Sequence, residues 1–192
     1  MSTFDREAAN LKIHRRLRKA YVILRKKKED DEITVSDLVE EADISRATFY
    51  LHYKNFDEFI LEAERYIMAL YIDQLLIFLE AGRENVREVC RKRNLILSEF
   101  DRELFKLFFE KHLGFTEARV DFVFKEAYGR ALEKFGENFV KKHKAGFDIF
   151  LIGYIASMRV NMFDYHSDKV YRDMIRTFDI WDALFPDEKT IN

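Results

Sequence analysis

Proline, glycine and cysteine are all scarce in this chain, and each scarcity excludes something. The one proline, Pro186, stands near the end, so none interrupts a helix ahead of it. The six glycines begin only at Gly82, which leaves the amino-terminal part built without the most permissive residue. No glycine-rich phosphate loop, nucleophile elbow or Cys-x-x-Cys occurs, which argues against the common nucleotide-dependent, hydrolase and thiol chemistries, and an enzyme is not expected. The single cysteine, Cys90, cannot make an internal disulfide and fits a reducing cytosol. Arg91, Lys92 and Arg93 beside it would lower its pKa if they shared its exposure, though most lone cysteines are inert.

The five histidines, His14, His52, His112, His143 and His166, form no Glu-x-x-His or His-x-x-x-His arrangement, so neither metal nor cofactor is expected. No secretory leader is read at the polar start. Long hydrophobic runs are missing too. Residues 66–79 are interrupted by Asp73 and Gln74, residues 147–158 contain Asp148, and both fall short of the roughly 20 apolar residues of a lone span. A cytoplasmic protein without membrane contact is the expectation.

Charge of one sign is lacking overall, with 33 basic against 35 acidic residues, but its distribution is uneven. Residues 1–28 carry ten Lys or Arg against two acids, whereas residues 29–43 carry eight acids and no base, an arrangement that suits a surface meeting nucleic acid on one side only. A solvated helix followed by a polar loop would give the same run.

Apolar periodicity is helical throughout, and no strand alternation or internal repeat is found. Ile13, Leu17, Ala20, Tyr21 and Leu24 predict a first helix over 9–28 with its basic residues outward. A long fourth helix runs from Phe56 to about Glu80, with Asp57 and Glu58 in its first turn and Gly82 ending it. Further helices are expected over 85–99, 102–113, 116–142, 144–164 and 169–184, with Gly114, Phe115 and Thr116 separating two of them and 166–168 the last pair.

Between the first and fourth helices lies TVSDLVEEADISRATFYLHY, residues 34–53, which reads as two short helices and a tight turn. Thr34 caps the first, with Asp37 in the capping-box position, and Val35, Leu38, Val39 and Ala42 form its apolar side. Ser45 caps the second, to which Ala47, Phe49 and Tyr50 bring buried material. Arg46, Thr48, Tyr50, Leu51, His52, Tyr53 and Lys54 can present a mixed surface: Arg suits guanine, Thr a phosphate or thymine methyl, Tyr and Lys phosphates.

The run ITVSDLVEEADISRATFYLHYKNFDEF resembles the DNA-binding domain of the TetR family of bacterial transcriptional regulators, whose pattern is roughly I-T-V-x-D-I-A-x-x-A-G-V-S-x-G-T-F-Y-x-H-F-x-x-K-x-x-L. The likeness covers about the first third of the chain. It departs at Asp43 and Ala47, where the family usually has glycine, and at Phe56, where many members carry a phosphate-contacting lysine for which Lys54 is the nearest substitute. Asp tolerates the left-handed turn position and Ala strengthens a helix.

The resemblance implies an all-α chain: a three-helix helix-turn-helix DNA-binding domain over 1–55 and a helical-bundle effector and dimerisation domain over 56–192. Double-stranded operator DNA would be met by Thr34, Ser45, Arg46, Ala47, Thr48, Tyr50, Leu51, His52, Tyr53 and Lys54. Fourteen of 19 phenylalanines lie from Phe100 onward, and in this family such helices often enclose a cavity for a small apolar or aromatic effector. Phe105, Phe108, Phe109, Phe122, Tyr128, Phe150 and Tyr154 are the candidate lining, although aromatics at helical spacing also make plain core. The final two helices, with Gly146, Gly153, Ala156 and Ser157 among large apolar residues, would pair with those of a second subunit in a homodimer, or bury the same residues within one. The implied function is a ligand-responsive repressor. A regulator whose carboxy-terminal domain docks a partner protein and activates transcription is the alternative.

Overall fold

The computed structural model describes residues 3–96, 98–111, 117–161 and 167–184, and within them every regular element is helical. The chain divides into two compact units, Met1–Ile67 with Phe100–Phe108, and Met68–Glu99 with Phe109–Asn192.

The first unit is built on α1 (Thr3–Arg25), followed by a 3-10 turn (Asp30–Glu32) and the short helices α2 (Val35–Glu41) and α3 (Arg46–His52). The start of α4 (Phe56–Ile96) and most of α5 (Glu99–Lys111) complete it. Leu17, Ala20, Tyr21 and Leu24 of α1 are buried as their spacing predicts, and they share a core with Leu38, Phe49, Phe59, Leu104, Phe105 and Phe108. The Tyr21 ring stacks on Phe108 at 6.0 Å and meets Phe59 edge-on at 5.9 Å, so this core draws on α5 as much as on its own end of the chain. The basic residues of α1 are not all outward. Arg18 is 4% exposed, because it falls on the same stripe as His14, Leu17 and Tyr21, and the Arg25 side chain is also covered.

In the second unit α4 does not end at Gly82. It bends there, with φ 64 and ψ −179, a conformation open essentially to glycine alone, and the helix expected over 85–99 is its second limb. The single helix expected over 116–142 is two, α6 (Glu117–Phe135) and α7 (Glu137–Lys142), divided at Gly136 with φ 83. Its N–H donates to the Leu132 carbonyl, and its carbonyl accepts from Val140, so this glycine closes one helix and opens the next. Next come α8 (Lys144–Asn161) and α9 (Ser167–Leu184), packed on each other, with Phe150 and Phe178 rings 5.0 Å apart. A Cβ built on Gly153 would lie 3.1 Å from Thr177 Cγ2, so this small residue serves the approach of α8 to α9 within one chain. Gly114, Phe115, Thr116 and His166 lie outside the described residues, as do the side chains of Ala156 and Ser157.

Candidate nucleic-acid interface

The segment from Thr34 to Tyr53 is fixed at both ends by its own side chains. Thr34 Oγ1 accepts the Asp37 N–H at 3.2 Å while Asp37 Oδ2 accepts the Thr34 N–H at 2.9 Å, the reciprocal pair that the Thr-x-x-Asp spacing predicts. Lys28 Nζ, 2.8 Å from Asp37 Oδ1, and then the bonds from Thr34 hold the Asp37 carboxyl well below the usual carboxylate range. Ser45 Oγ accepts the Thr48 N–H at 3.0 Å and so caps α3.

Between the two helices Asp43 takes φ 50, where the resembling family uses glycine, and it is the one non-glycine residue with positive φ among those described. Aspartate tolerates that conformation, and Arg16 secures it. The Arg16 guanidinium donates to the Asp43 carbonyl at 2.6 Å and to its carboxylate at 2.7 Å, tying the turn to α1.

α3 presents two sides of opposite character. Phe49 is fully buried, with the rings of Tyr50, Tyr53 and Phe59 at 5.4, 5.4 and 6.5 Å. Arg46, Ala47, Tyr50 and Leu51 lie at i, i+1, i+4 and i+5 and all face solvent, Leu51 at 84% and Tyr50 at 56% exposure. Ala47 and Tyr50 are therefore not the buried material that the sequence suggested, because Phe49 alone fills the space beneath a seven-residue helix. The Arg46 guanidinium reaches across to the Ser36 hydroxyl on α2. Thr34, Ser45 and Lys54 are exposed and Thr48 is half-buried, its hydroxyl 2.8 Å from that of Ser45.

Tyr53 departs from its expected place. It is 3% exposed, and its hydroxyl lies 3.1 Å from Glu62 Oε2 and 3.1 Å from His14 Nδ1. His52 is half-covered, with Nδ1 3.2 Å from His14 Nε2 and the two rings edge to face at 5.0 Å. Beneath them Arg18 donates to Glu62 Oε1 at 2.9 Å and lays its guanidinium 3.5 Å over the Tyr66 ring, whose hydroxyl reaches Asp101 at 3.2 Å. Burial pushes the Glu62 carboxyl up, but the His14 hydrogen bond and the Arg18 charge outweigh it, and Glu62 sits below its ordinary range. Burial, and then the charge on His14, lower His52.

Four side chains that hold α3 in place, His14, Arg16, Arg18 and Glu62, escaped the sequence reading. The signal for two of them was present: His14 and Arg18 interrupt the apolar stripe of α1 at helical spacing. Phe56 is not free to face a ligand either, because its ring packs against Tyr21 at 6.4 Å and Phe59 at 5.9 Å.

The candidate effector residues are divided between the two units. Phe105 and Phe108 are core of the first unit, whereas Phe122, Tyr128 and Phe150 belong to the second. Tyr128 donates to Asp148 and accepts from Lys144, and Phe150 is buried against Phe178. The side chains of Phe109 and Tyr154 lie outside those described. An open cavity of about 620 Å³ in the second unit is lined by Asp73, Leu76, Glu126, Gly129, Arg130, Glu133 and Lys134, none of them among the expected aromatics. Cys90 is buried, which removes the exposure a reactive thiol needs. Among the described residues no cluster of His, Cys, Asp and Glu could hold a metal ion, and no helix is long and apolar enough to cross a membrane. Comparison with protein-family models, curated proteins and solved structures finds no match for this chain.

Proposed function

We propose that this protein is a sequence-specific DNA-binding transcriptional regulator of the TetR type, acting as a homodimer. The observation that carries the reading is the outward face of α3, where Arg46, Ala47, Tyr50 and Leu51 stand together on a helix that contains no acidic residue and is anchored from below by Phe49. Such a face suits a major groove: Arg46 to a guanine edge, Leu51 and Ala47 to thymine methyls, Tyr50 to phosphate or base. Exposed Lys12, Arg15, Lys19 and Lys54 supply cations for backbone contact.

Ile152 on α8 and Ile180 on α9 are 56% and 50% exposed, the kind of surface that a second copy of the hairpin would cover, fixing the spacing of two readers. Repression relieved by an effector is the favoured mode. The effector would bind the dimer state whose readers are misplaced and draw the population from the operator by its differential affinity.

The test is selection of bound duplexes from a random-sequence pool, followed by anisotropy titration of the selected sequence. Arg46→Ala, Tyr50→Ala and Leu51→Ala should each weaken binding by about 1–3 kcal/mol with circular dichroism unchanged. A wild-type protein that enriches no sequence, or variants that bind like wild type, would refute the proposal.

A further inference from the structure

We propose that His14 and His52 form a proton-sensitive latch that holds the carboxy-terminal end of α3 against α1 and releases it when both rings are charged. His52 is the last residue of α3, and its Nδ1 lies 3.2 Å from His14 Nε2. A hydrogen bond across that gap needs one proton between two nitrogens. The opposite edge of His14 is committed as well, with Nδ1 3.4 Å from Glu62 Oε1 and 3.1 Å from the Tyr53 hydroxyl. With His14 Nδ1–H turned to Glu62, the latch tolerates a neutral pair, in which His52 donates, or a singly charged pair, in which His14 donates. It does not tolerate two charges, because two N–H groups would then point at each other across the gap.

The surroundings decide which ring must leave. From α1 come Arg18, bonded to Glu62 at 2.9 Å, and Arg15 on the exposed side. From α4 come Glu62 and Glu58, the latter bonded to the Lys54 N–H at 2.6 Å, and from the connection comes Tyr53. Glu62 faces His14 and supports a charge there, whereas among the described residues the polar contact of His52 is the His14 ring. The second proton therefore expels His52 toward solvent, and with it the last turn of α3. Burial and the neighbouring ring both lower His52 from its ordinary value of 6.5. A group lowered in this way, and neutral when folded, lends its stabilisation at pH above that ordinary value and withdraws it as the pH falls through the folded value.

Deepening the DNA reading, the latch would make operator affinity fall on acidification, but its first test needs no DNA. Hydrogen exchange of the α3 amides is measured on the full chain from pH 7.5 to 5, corrected for intrinsic rates, beside ring-proton NMR titrations of His14 and His52. Wild type should show α3 opening that rises by up to tenfold per pH unit as the pH falls from the ordinary histidine value of 6.5 toward the folded His52 midpoint and levels off below it, with the two rings titrating as an interacting pair. His52→Gln, whose amide can still bond His14 and carries no titrating proton, should abolish that rise. His14→Gln removes the second charge from the other side and serves if His52→Gln does not fold.

An α3 exchange profile with the same acid response in wild type and in the glutamine variant that folds, or two independently titrating rings, would overturn the latch. A random-sequence duplex is titrated separately at pH 7.5 and 5.5, where His52→Gln should keep more of its neutral-pH affinity than wild type. Failure to bind DNA at either pH would count against the regulator reading, while the exchange result would still decide the latch.

Discussion

Cutting Phe49 back to alanine should strongly destabilise the first unit. The side chain is fully buried, and Tyr50, Tyr53 and Phe59 surround it at ring distances of 5.4 to 6.5 Å. Truncating a buried phenylalanine costs about 3–5 kcal/mol, a figure that includes the cavity left behind. The unit has about 76 residues, and at 0.05–0.15 kcal/mol per residue its whole stability is about 4–11 kcal/mol. Between about a quarter and all of that would go. The loss should also exceed that of Phe49→Leu, which keeps most of the volume and should cost no more than about 1.5 kcal/mol. Urea unfolding followed by far-ultraviolet circular dichroism reads both numbers, with the second unit providing an internal control because its core lies elsewhere. A loss below about 1 kcal/mol for Phe49→Ala would mean that α3 is not held from beneath by this ring, and the anchored-reader argument would fall with it.

Phe56→Lys, which the family resemblance alone would favour as a gain of phosphate contact, should instead cost about 1–3 kcal/mol because it removes ring contacts with Tyr21 and Phe59; a thermal midpoint at or above wild type would show that packing to be dispensable. Gly153→Arg should pry α8 from α9, since even a Cβ there meets Thr177 at 3.1 Å. The thermal midpoint should fall accordingly, and a variant as stable as wild type would show the close approach of the two helices to be dispensable.

What could be read ahead of the structure was whatever depends on neighbours in sequence. The two caps and the apolar stripe of α1 follow from local spacing, the left-handed Asp43 from the glycine that the family resemblance implies at its position, and they stand where expected. Tyr53 and Arg18 could not be placed that way. Each is a polar side chain buried by partners from distant segments, Glu62 from α4 for both, and nothing in a helical period announces such a partner. The division of the candidate effector aromatics between the two units has the same origin. Phe105 and Phe108 look like part of a carboxy-terminal lining by their position in the chain, yet α5 returns them to the first unit.

That return has a consequence for synthesis. The unit carrying α3 is discontinuous: its core needs Leu104, Phe105 and Phe108, and its buried Arg18 lies under a tyrosine bonded to Asp101. On the ribosome the first 67 residues emerge without those partners, and the unit cannot close until Phe108 has cleared the exit tunnel, after the whole of α4. The segment that faces outward is thus completed late, by chain that must first pass through the other unit, and a gene truncated just after residue 67 would encode an exposed apolar surface in place of a working module.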